Sequence, residues 1–215
     1  MKCDKEIMLL YAVTDRSWLG KRTLKEQVKE ALEGGITCLQ LREKDMSDEE
    51  FLKEAMEIGE LCREYKVPFI INDNIDVAVK CKADGVHVGQ SDMSAKDVRR
   101  IIGNDMILGV SAQTVEQAID AVESGADYLG VGAVFSTSTK LDAESVSFDT
   151  LQEICENVSV PVVAIGGISG YNILELKGSG VDGVALVSAI FASDDITSAC
   201  KKLKKLSEEM ISNEN

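Results

Sequence analysis

Proline is scarce in this chain, and polar linkers are missing. Its 215 residues include only two prolines, Pro68 and Pro161, and each precedes a short apolar run. No stretch rich in serine and glycine interrupts the pattern, so nothing marks a domain boundary. With 45% hydrophobic residues, a chain of this length can bury one large core. We therefore predict a single domain over residues 1–215.

Positive charge is also in short supply. The formal net charge is -14 and the isoelectric point is near 4.5, a balance that repels a nucleic-acid backbone. No apolar run approaches membrane-spanning length, and the first ten residues carry charges where a signal peptide would be apolar. We predict a cytoplasmic protein without nucleic-acid or membrane partners, and leave assembly into a homo-oligomer open. An anionic substrate would need local cations or a metal ion.

The spacing typical of zinc ligands is missing too. The six cysteines form no CxxC pair, and His87 is the only histidine. Most of the cysteines fall within apolar patterns. We interpret them as small buried hydrophobic residues in a reducing compartment.

What the sequence does contain is an alternation of short apolar runs and longer amphipathic segments. This order favours a single (β/α)8 TIM barrel with parallel strands. A doubly wound open sheet is the alternative, but the first predicted strand ends in Thr14, Asp15 and Arg16, without the glycine fingerprint of that fold. The predicted strands are 7–13, 36–41, 68–71, 85–88, 107–110, 128–131, 162–165 and 184–187, and the predicted helices lie near 23–33, 47–64, 74–81, 94–101, 114–123, 147–156, 170–177 and 194–211.

Local signals agree with these boundaries. Ser47 with Glu50, and Thr114 with Gln117, have the spacing of capping boxes. Glycines 34, 125 and 178 follow predicted helix ends, and the turns around them resemble one another, as in an internal βα repeat.

In a barrel, the residues that follow the strands converge on one mouth. After the second strand, Gln40, Arg42 and Lys44 share a face, with leucines opposite. Arginine and lysine together suit a diphosphate. The alternative is a surface salt-bridge cluster with Asp45 and Asp48.

Two carboxylates follow the third and fourth strands. Asp73 and Asp92 come from neighbouring loops, and a pair of hard oxygen ligands suits Mg²⁺, which completes its shell with phosphates and water. The alternative for each is capping of the next helix. His87 falls on the inward face of the fourth strand, where we expect a buried supporting residue more than a catalytic one.

The later loops carry phosphate-binding features. Ser111 follows the fifth strand and could donate to a phosphate oxygen, and the loop after the sixth strand holds Thr137, Ser138, Thr139 and Lys140. That loop is either a phosphate clamp or a solvated flexible segment. Glycines 166 and 167 after the seventh strand, with Val187, Ser188 and a short helix at 189–191 after the eighth, occupy the usual phosphate site of such barrels.

Taken together, these segments resemble the thiamine-phosphate synthase family over nearly the whole chain. The resemblance rests on the order and spacing of motifs at residues 11–15, 40–44, 72–73, 84–92, 109–111, 127–132, 137–140 and 165–167. It implies an Mg²⁺-dependent transferase that joins 4-amino-5-hydroxymethyl-2-methylpyrimidine diphosphate to 4-methyl-5-(2-phosphooxyethyl)thiazole. The products are thiamine phosphate and diphosphate.

The resemblance also implies roles for individual residues. Asp73 and Asp92 would hold Mg²⁺, and Arg42, Lys44, Ser111 and Lys140 would carry the catalytic stabilisation of the diphosphate. The pyrimidine diphosphate would contact Gln40, Arg42, Lys44, Asn72, Ser111 and Lys140, and the thiazole phosphate would contact Thr137, Ser138, Thr139, Gly167, Val187 and Ser188.

The chain departs from the family pattern at three positions. Ala133 and Ser136 stand where prolines are common, and Gln113 stands where histidine is frequent. The nearest rival is the thiazole tautomerase paralogue, an isomerase that uses a histidine in the fifth loop, so Gln113 stands against it. A phosphate-binding barrel isomerase of amino-acid biosynthesis leaves Arg42, Asp73 and Asp92 unexplained. A non-catalytic barrel that binds a phosphorylated ligand also stays open.

Overall fold

Eight parallel strands close into a barrel in the computed structural model, which describes residues 3–136 and 145–212. Each strand pairs with its sequence neighbours, and the first pairs with the last. This closure confirms the predicted TIM barrel and excludes the open sheet. The strands are β1 (Leu10–Val13), β2 (Cys38–Leu41), β3 (Phe69–Asn72), β4 (Gly85–Val88), β5 (Ile107–Ala112), β6 (Tyr128–Val131), β7 (Val162–Ile165) and β8 (Gly183–Leu186).

Helices follow most of the strands and surround the barrel. Capping boxes at Thr23 and at Ser47 open the first two α-helices. None of the helices in the described part of the chain combines the length and apolarity that a membrane span requires. The α-helices are α1 (Leu24–Glu33), α2 (Asp48–Tyr65), α3 (Ile75–Cys81), α4 (Ala95–Ile102), α5 (Val115–Glu123), α6 (Phe148–Asn157), α7 (Ser188–Phe191) and α8 (Ile196–Ile211), with 3₁₀ turns η1 (Lys5–Met8), η2 (Arg16–Trp18) and η3 (Ile173–Leu176).

The two faces of the strands belong to different cores. Outward residues such as Leu39, Leu41 and Val110 pack under the helices. Inward residues form a second cluster that fills the lower barrel, and the largest of them are Tyr11 and Tyr128. Alternate side chains of a strand point inward. The cavity at the mouth is therefore lined by the inward residues that come next toward the carboxyl end of each strand.

At the bottom of the barrel, four side chains each accept a hydrogen bond from the backbone of the preceding strand and so link the strands in pairs; we call these side chains clamps. Asp84, Asp127 and Asp182, which directly precede β4, β6 and β8, each accept a hydrogen bond from the first or second backbone N–H of the preceding strand. Thr37 does the same for β1 with its hydroxyl. These clamps explain why the turn with glycine and aspartate recurs in the sequence.

Some predicted boundaries were wrong. The segment predicted as a helix at 170–177 is only the 3₁₀ turn η3, with Asn172 folding its amide back onto the Gly167 carbonyl. The first strand begins at Leu10 because η1 occupies the preceding residues. The predicted box at Thr114 is half formed: Thr114 accepts from the Gln117 N–H, but the Gln117 side chain accepts from Gln113.

Candidate active site

A cavity of about 520 Å³ opens at the carboxyl ends of the strands, with lining residues from all eight of them or from the loops that follow. Each predicted site residue within the described part of the chain lines this cavity: Gln40, Arg42, Lys44, Asn72, Asp73, Asp92, Ser111, Gly167, Val187 and Ser188. Thr137, Ser138, Thr139 and Lys140 lie outside the described residues. The barrel therefore brings residues far apart in sequence into one pocket.

Arg42 is held at the mouth by the end of β1. The backbone N–H of Thr14 donates to Gln40 O at 3.0 Å, and Thr14 Oγ1 accepts from the Arg42 N–H at 2.9 Å. The Arg42 guanidinium lies 3.5 Å from Asp15 Oδ2. Only one weakly placed carboxylate thus faces this guanidinium among the ion pairs of the described residues, and much of its donor capacity stays available to a ligand.

The alternative salt-bridge cluster is wrong for this arginine. Asp48 accepts instead from Asn74 Nδ2 at 2.8 Å, which ties the start of α2 to the start of α3. Asp45 is exposed and takes part in none of the ion pairs found among residues 3–136 and 145–212.

Glu43 separates the two cations and points away from the cavity. Its carboxylate accepts from Arg16 Nε at 2.7 Å, and Arg16 also pairs with Glu54 of α2. Burial, and then repulsion from Glu54, raises the pKa of Glu43 to about 7 although Arg16 opposes both. This ion-pair group connects η2 and α2 to the β2 loop, between Arg42 and Lys44.

Asp73 and Asp92 face each other across the β3 and β4 loops. Asp73 has a φ of +60°, a left-handed conformation that aspartate tolerates, and its backbone N–H donates to His87 O at 2.8 Å. Gly89 N–H donates to Asp92 Oδ2 at 2.7 Å in a tight turn. Partial burial, followed by the neighbouring Asp92 charge, raises the pKa of Asp73 to about 6, and Arg42 only partly offsets this. Two neighbouring carboxylates of this kind favour a shared proton or a shared cation.

Helix capping does not explain these carboxylates. Asn74 caps α3 by accepting from the Val77 N–H, and Ser94 caps α4 by accepting from the Asp97 N–H. The capping alternative is therefore wrong for Asp73 and for Asp92. Both side chains are left at the cavity wall.

The phosphate features after β7 depend on two left-handed glycines. Gly166 and Gly167 have φ values of +99° and +66°. A Cβ on Gly166 would lie 2.5 Å from Ala133, and one on Gly167 would lie 2.8 Å from the Phe135 carbonyl oxygen. The turn therefore packs directly on the start of the β6 loop. It reaches the same cavity as Ser188, the first residue of α7, whose early N–H groups lack intrahelical acceptors.

His87 lies inside the barrel, as its position in the pattern predicted, with 8% of its surface exposed. Its Nε2 is 2.9 Å from Ser111 Oγ, and its Nδ1 is 2.9 Å from Tyr128 Oη. Gln90 Nε2 donates to the Ser111 carbonyl at 2.7 Å and fixes the backbone of this residue.

Sequence reasoning missed several residues of the site. Asp15 and Gln90 follow strand ends, the same signal that identified their neighbours, but each lacked a recognised partner. Tyr11 and Tyr128 lie on inward positions, where the period of two could have placed them. Their hydrogen bonds cross the barrel and have no signal in the local sequence.

Comparison with known proteins identifies what this arrangement is similar to. The model of the family described as thiamine monophosphate synthase matches residues 10–190. A thiamine-phosphate synthase of Ruminiclostridium cellulolyticum is 53% identical over 197 residues, which cover 92% of this chain and 94% of that protein. One of Clostridium beijerinckii is 52% identical over 195 residues, covering 91% of this chain and 93% of that protein.

Solved structures agree with the sequence relatives. A thiamine phosphate pyrophosphorylase from Pyrococcus furiosus superposes with a TM-score of 0.89 at 38% identity, covering 97% of this chain and 99% of that one. A geranylgeranylglyceryl phosphate synthase from Thermoplasma acidophilum superposes at 0.67 with 13% identity, covering 94% of each chain, and this likeness shows the fold alone.

Proposed function

The chain belongs to the thiamine monophosphate synthase family, and from this premise we propose how its barrel mouth performs the thiamine-phosphate synthase reaction. In that reaction the pyrimidine methylene carbon of 4-amino-5-hydroxymethyl-2-methylpyrimidine diphosphate is transferred to the nitrogen of 4-methyl-5-(2-phosphooxyethyl)thiazole. The enzyme is a transferase acting on small phosphorylated substrates. A single observation supports our assignment: two cations, two carboxylates and a glycine phosphate turn line one cavity.

We assign the diphosphate to the β2 side of the cavity. Gln40, Arg42, Lys44, Asn72 and Ser111 would contact the pyrimidine diphosphate, as would Lys140 outside the described residues. The thiazole phosphate would bind the opposite side, at Gly167, Val187 and Ser188, together with the threonine and serine residues 137–139. The two reacting centres would then meet above Ser111.

The chemistry needs charge stabilisation more than a general base. The carbon–oxygen bond to the diphosphate breaks with its electron pair leaving on oxygen, and the thiazole nitrogen supplies the pair for the new carbon–nitrogen bond. Negative charge therefore grows on the leaving group, where Arg42 and Lys44 lie. Preorganised donors at a developing oxyanion can lower a barrier by about 3 kcal/mol each.

Asp73 and Asp92 fit a magnesium ion. They are hard oxygen ligands on neighbouring loops. Partial burial and then the charge of Asp92 raise the pKa of Asp73 to about 6, so a cation between the two carboxylates would relieve an unfavourable interaction. When bound, Mg²⁺ would neutralise charge on the diphosphate oxygens. The described residues contain no group of three or more histidine, cysteine or acidic side chains suited to a metal, so water and substrate would complete the shell.

The decisive experiment is a coupling assay with the purified protein. We expect thiamine phosphate and diphosphate to form from the two substrates with Mg²⁺, and formation to stop when the ion is chelated. Rearrangement of a thiazole without coupling would instead favour the tautomerase, and ligand binding without turnover would favour a non-catalytic barrel. Relatives that share half their residues with this chain and carry the name thiamine-phosphate synthase support coupling.

The division of the cavity has its own test. Arg42→Ala should lower turnover by ~10²-fold and raise the KM for the pyrimidine diphosphate more than that for the thiazole phosphate. The matched control is Arg100→Ala, because Arg100 is an exposed arginine on α4 that pairs only with Asp97 of the same helix among the ion pairs of the described residues. Equal losses for the two substrates would contradict the assignment. The cytoplasmic location stays a prediction, and assembly into a homo-oligomer stays open.

A further inference from the structure

A continuous row of polar side chains crosses the floor of the cavity. Gln40 Nε2 lies 2.9 Å from Tyr11 Oη, which lies 2.8 Å from Tyr128 Oη. Tyr128 Oη lies 2.9 Å from His87 Nδ1, and His87 Nε2 lies 2.9 Å from Ser111 Oγ. The row therefore joins β2 to β5 through β1, β6 and β4, and ends on two residues that we assigned to the pyrimidine diphosphate.

Two glycines make room for this row. A Cβ on Gly109 would overlap the Tyr128 ring, and a Cβ on Gly130 would approach His87 Cε1 to 3.1 Å. The rings pack at centroid distances of 5.8 Å for Tyr11 with Tyr128 and 5.5 Å for Tyr128 with His87. The rings thus pack into the space that the two glycines leave.

The donors and acceptors determine a direction. The Gln40 amide donates to Tyr11 Oη, so the Tyr11 proton has Tyr128 Oη as its acceptor. Tyr128 then donates to His87 Nδ1, and the remaining proton of a neutral imidazole sits on Nε2 and is donated to Ser111 Oγ. Ser111 Oγ accepts in this arrangement, and its own proton is left for a ligand.

The reverse direction requires the Gln40 amide to turn over. If His87 Nδ1–H donated to Tyr128, Tyr128 would donate to Tyr11, and the Tyr11 proton would then need the Gln40 carbonyl oxygen at the position that Gln40 Nε2 occupies. Burial raises the pKa of both phenols well above the ordinary value, so each keeps the proton on which the forward direction depends.

We propose that Tyr11, Tyr128 and His87 are positioning residues that hold Ser111 as an acceptor of the His87 Nε2–H and thereby direct the Ser111 hydroxyl proton toward the diphosphate. The effect on turnover rests on the proposed function, whereas the proton arrangement rests on the hydrogen bonds alone. A serine held in this way donates to the leaving oxygen without first breaking a bond of its own.

The proton arrangement can be measured directly because the sequence contains one histidine. A two-bond ¹H–¹⁵N spectrum of the ¹⁵N-labelled, ligand-free protein, purified with a tag free of histidine, should show protonated Nε2 and unprotonated Nδ1 at about pH 7.5. A protonated Nδ1, alone or with Nε2, would overturn the proposal. This measurement requires no variant and no turnover.

A double-mutant cycle tests the path through Ser111. Tyr128→Phe should lower kcat by about tenfold with the KM for the thiazole phosphate unchanged. In a Ser111→Ala background the same change should lower kcat less than about twofold, because the residue through which it acts is gone. Tyr65→Phe, the same chemical change at an exposed tyrosine of α2, should leave kcat unaltered. Additive losses would indicate a general structural defect and would refute the path.

Rescue at His87 gives a second, independent comparison. The terminal amide of His87→Gln reaches the position of Nε2 and can donate to Ser111, whereas that of His87→Asn ends near the position of Nδ1. We expect the glutamine variant to keep at least about tenfold more activity than the asparagine variant. The opposite order would overturn the proposal. If the wild-type protein forms no thiamine phosphate at all, the function fails, and the spectrum still decides the tautomer.

Discussion

Asp73 should destabilise the metal-free protein near neutral pH, and replacing it should reveal by how much. Its pKa is raised from 3.8 to about 6, by partial burial and then by Asp92. Because the folded pKa lies above the unfolded one, the contribution of Asp73 to stability is fully present below about pH 4 and is lost as the pH rises through about 6. Asp73→Asn, which keeps the shape and suits the left-handed backbone, removes this loss.

The size of the effect follows from the shift. Roughly two pKa units correspond to at most about 3 kcal/mol. The Asp73 carboxylate is only partly buried and the residue keeps much of its surface in solvent, where screening reduces such an interaction strongly, so we expect about 1 kcal/mol. In a chain of this size that corresponds to a rise in Tm of about 2–4 °C for the variant at about pH 7.5.

The assay is thermal unfolding of both proteins in a chelator, at about pH 7.5 and at about pH 4.5. The asparagine variant should be more stable at the higher pH, and the difference should shrink markedly at the lower one. Added Mg²⁺ should stabilise the wild-type protein at the higher pH and leave the variant unchanged. Asp45→Asn, the same charge change at an exposed position, controls for net charge. If Asp73→Asn is no more stable than the wild type in chelator at about pH 7.5, the reasoning is refuted.

Three further predictions concern the barrel. Gly109→Ala should lower stability by about 2 kcal/mol, because a Cβ there overlaps the buried Tyr128 ring, while Gly170→Ala, with only ordinary contacts, should change it by less than about 0.5 kcal/mol in chemical denaturation. Arg99→Met should cost about 2 kcal/mol in the same assay, since it removes donors to three backbone carbonyls at the bottom of the barrel; an unchanged midpoint would contradict this. Gly167→Ala should raise the KM for the thiazole phosphate at least about tenfold with the fold retained, and an unaltered KM would remove that turn from the phosphate site.

The sequence supported the fold prediction because the barrel repeats one local pattern. Each inward or outward position follows from a side-chain period of two, and helix starts follow from residues such as Ser47, whose partner Glu50 is three residues away. Interactions of this range are encoded within one window of sequence. The helix predicted at 170–177 was wrong: the segment forms only the 3₁₀ turn η3, and Asn172 folds its amide back onto the Gly167 carbonyl five residues earlier.

The gathering of site residues was also predictable in outline. Parallel strands leave their carboxyl ends at one edge, so the convergence of Arg42, Asp73, Asp92 and Ser111 on one cavity follows from topology once the barrel is accepted. Their roles toward the substrates stay proposals, supported by this geometry and by the family to which the chain belongs.

Only the tertiary structure decided how these groups are oriented. The repulsion between Asp73 and Asp92, the anchoring of Arg42 by Thr14, and the row from Gln40 to Ser111 all depend on contacts between different strands or the loops that follow them. Such contacts are set by barrel closure, by register and by the space that glycine leaves for a neighbouring ring. A one-dimensional pattern therefore determined which residues reach the mouth of this barrel, and the packing of the closed sheet determined what each of them faces.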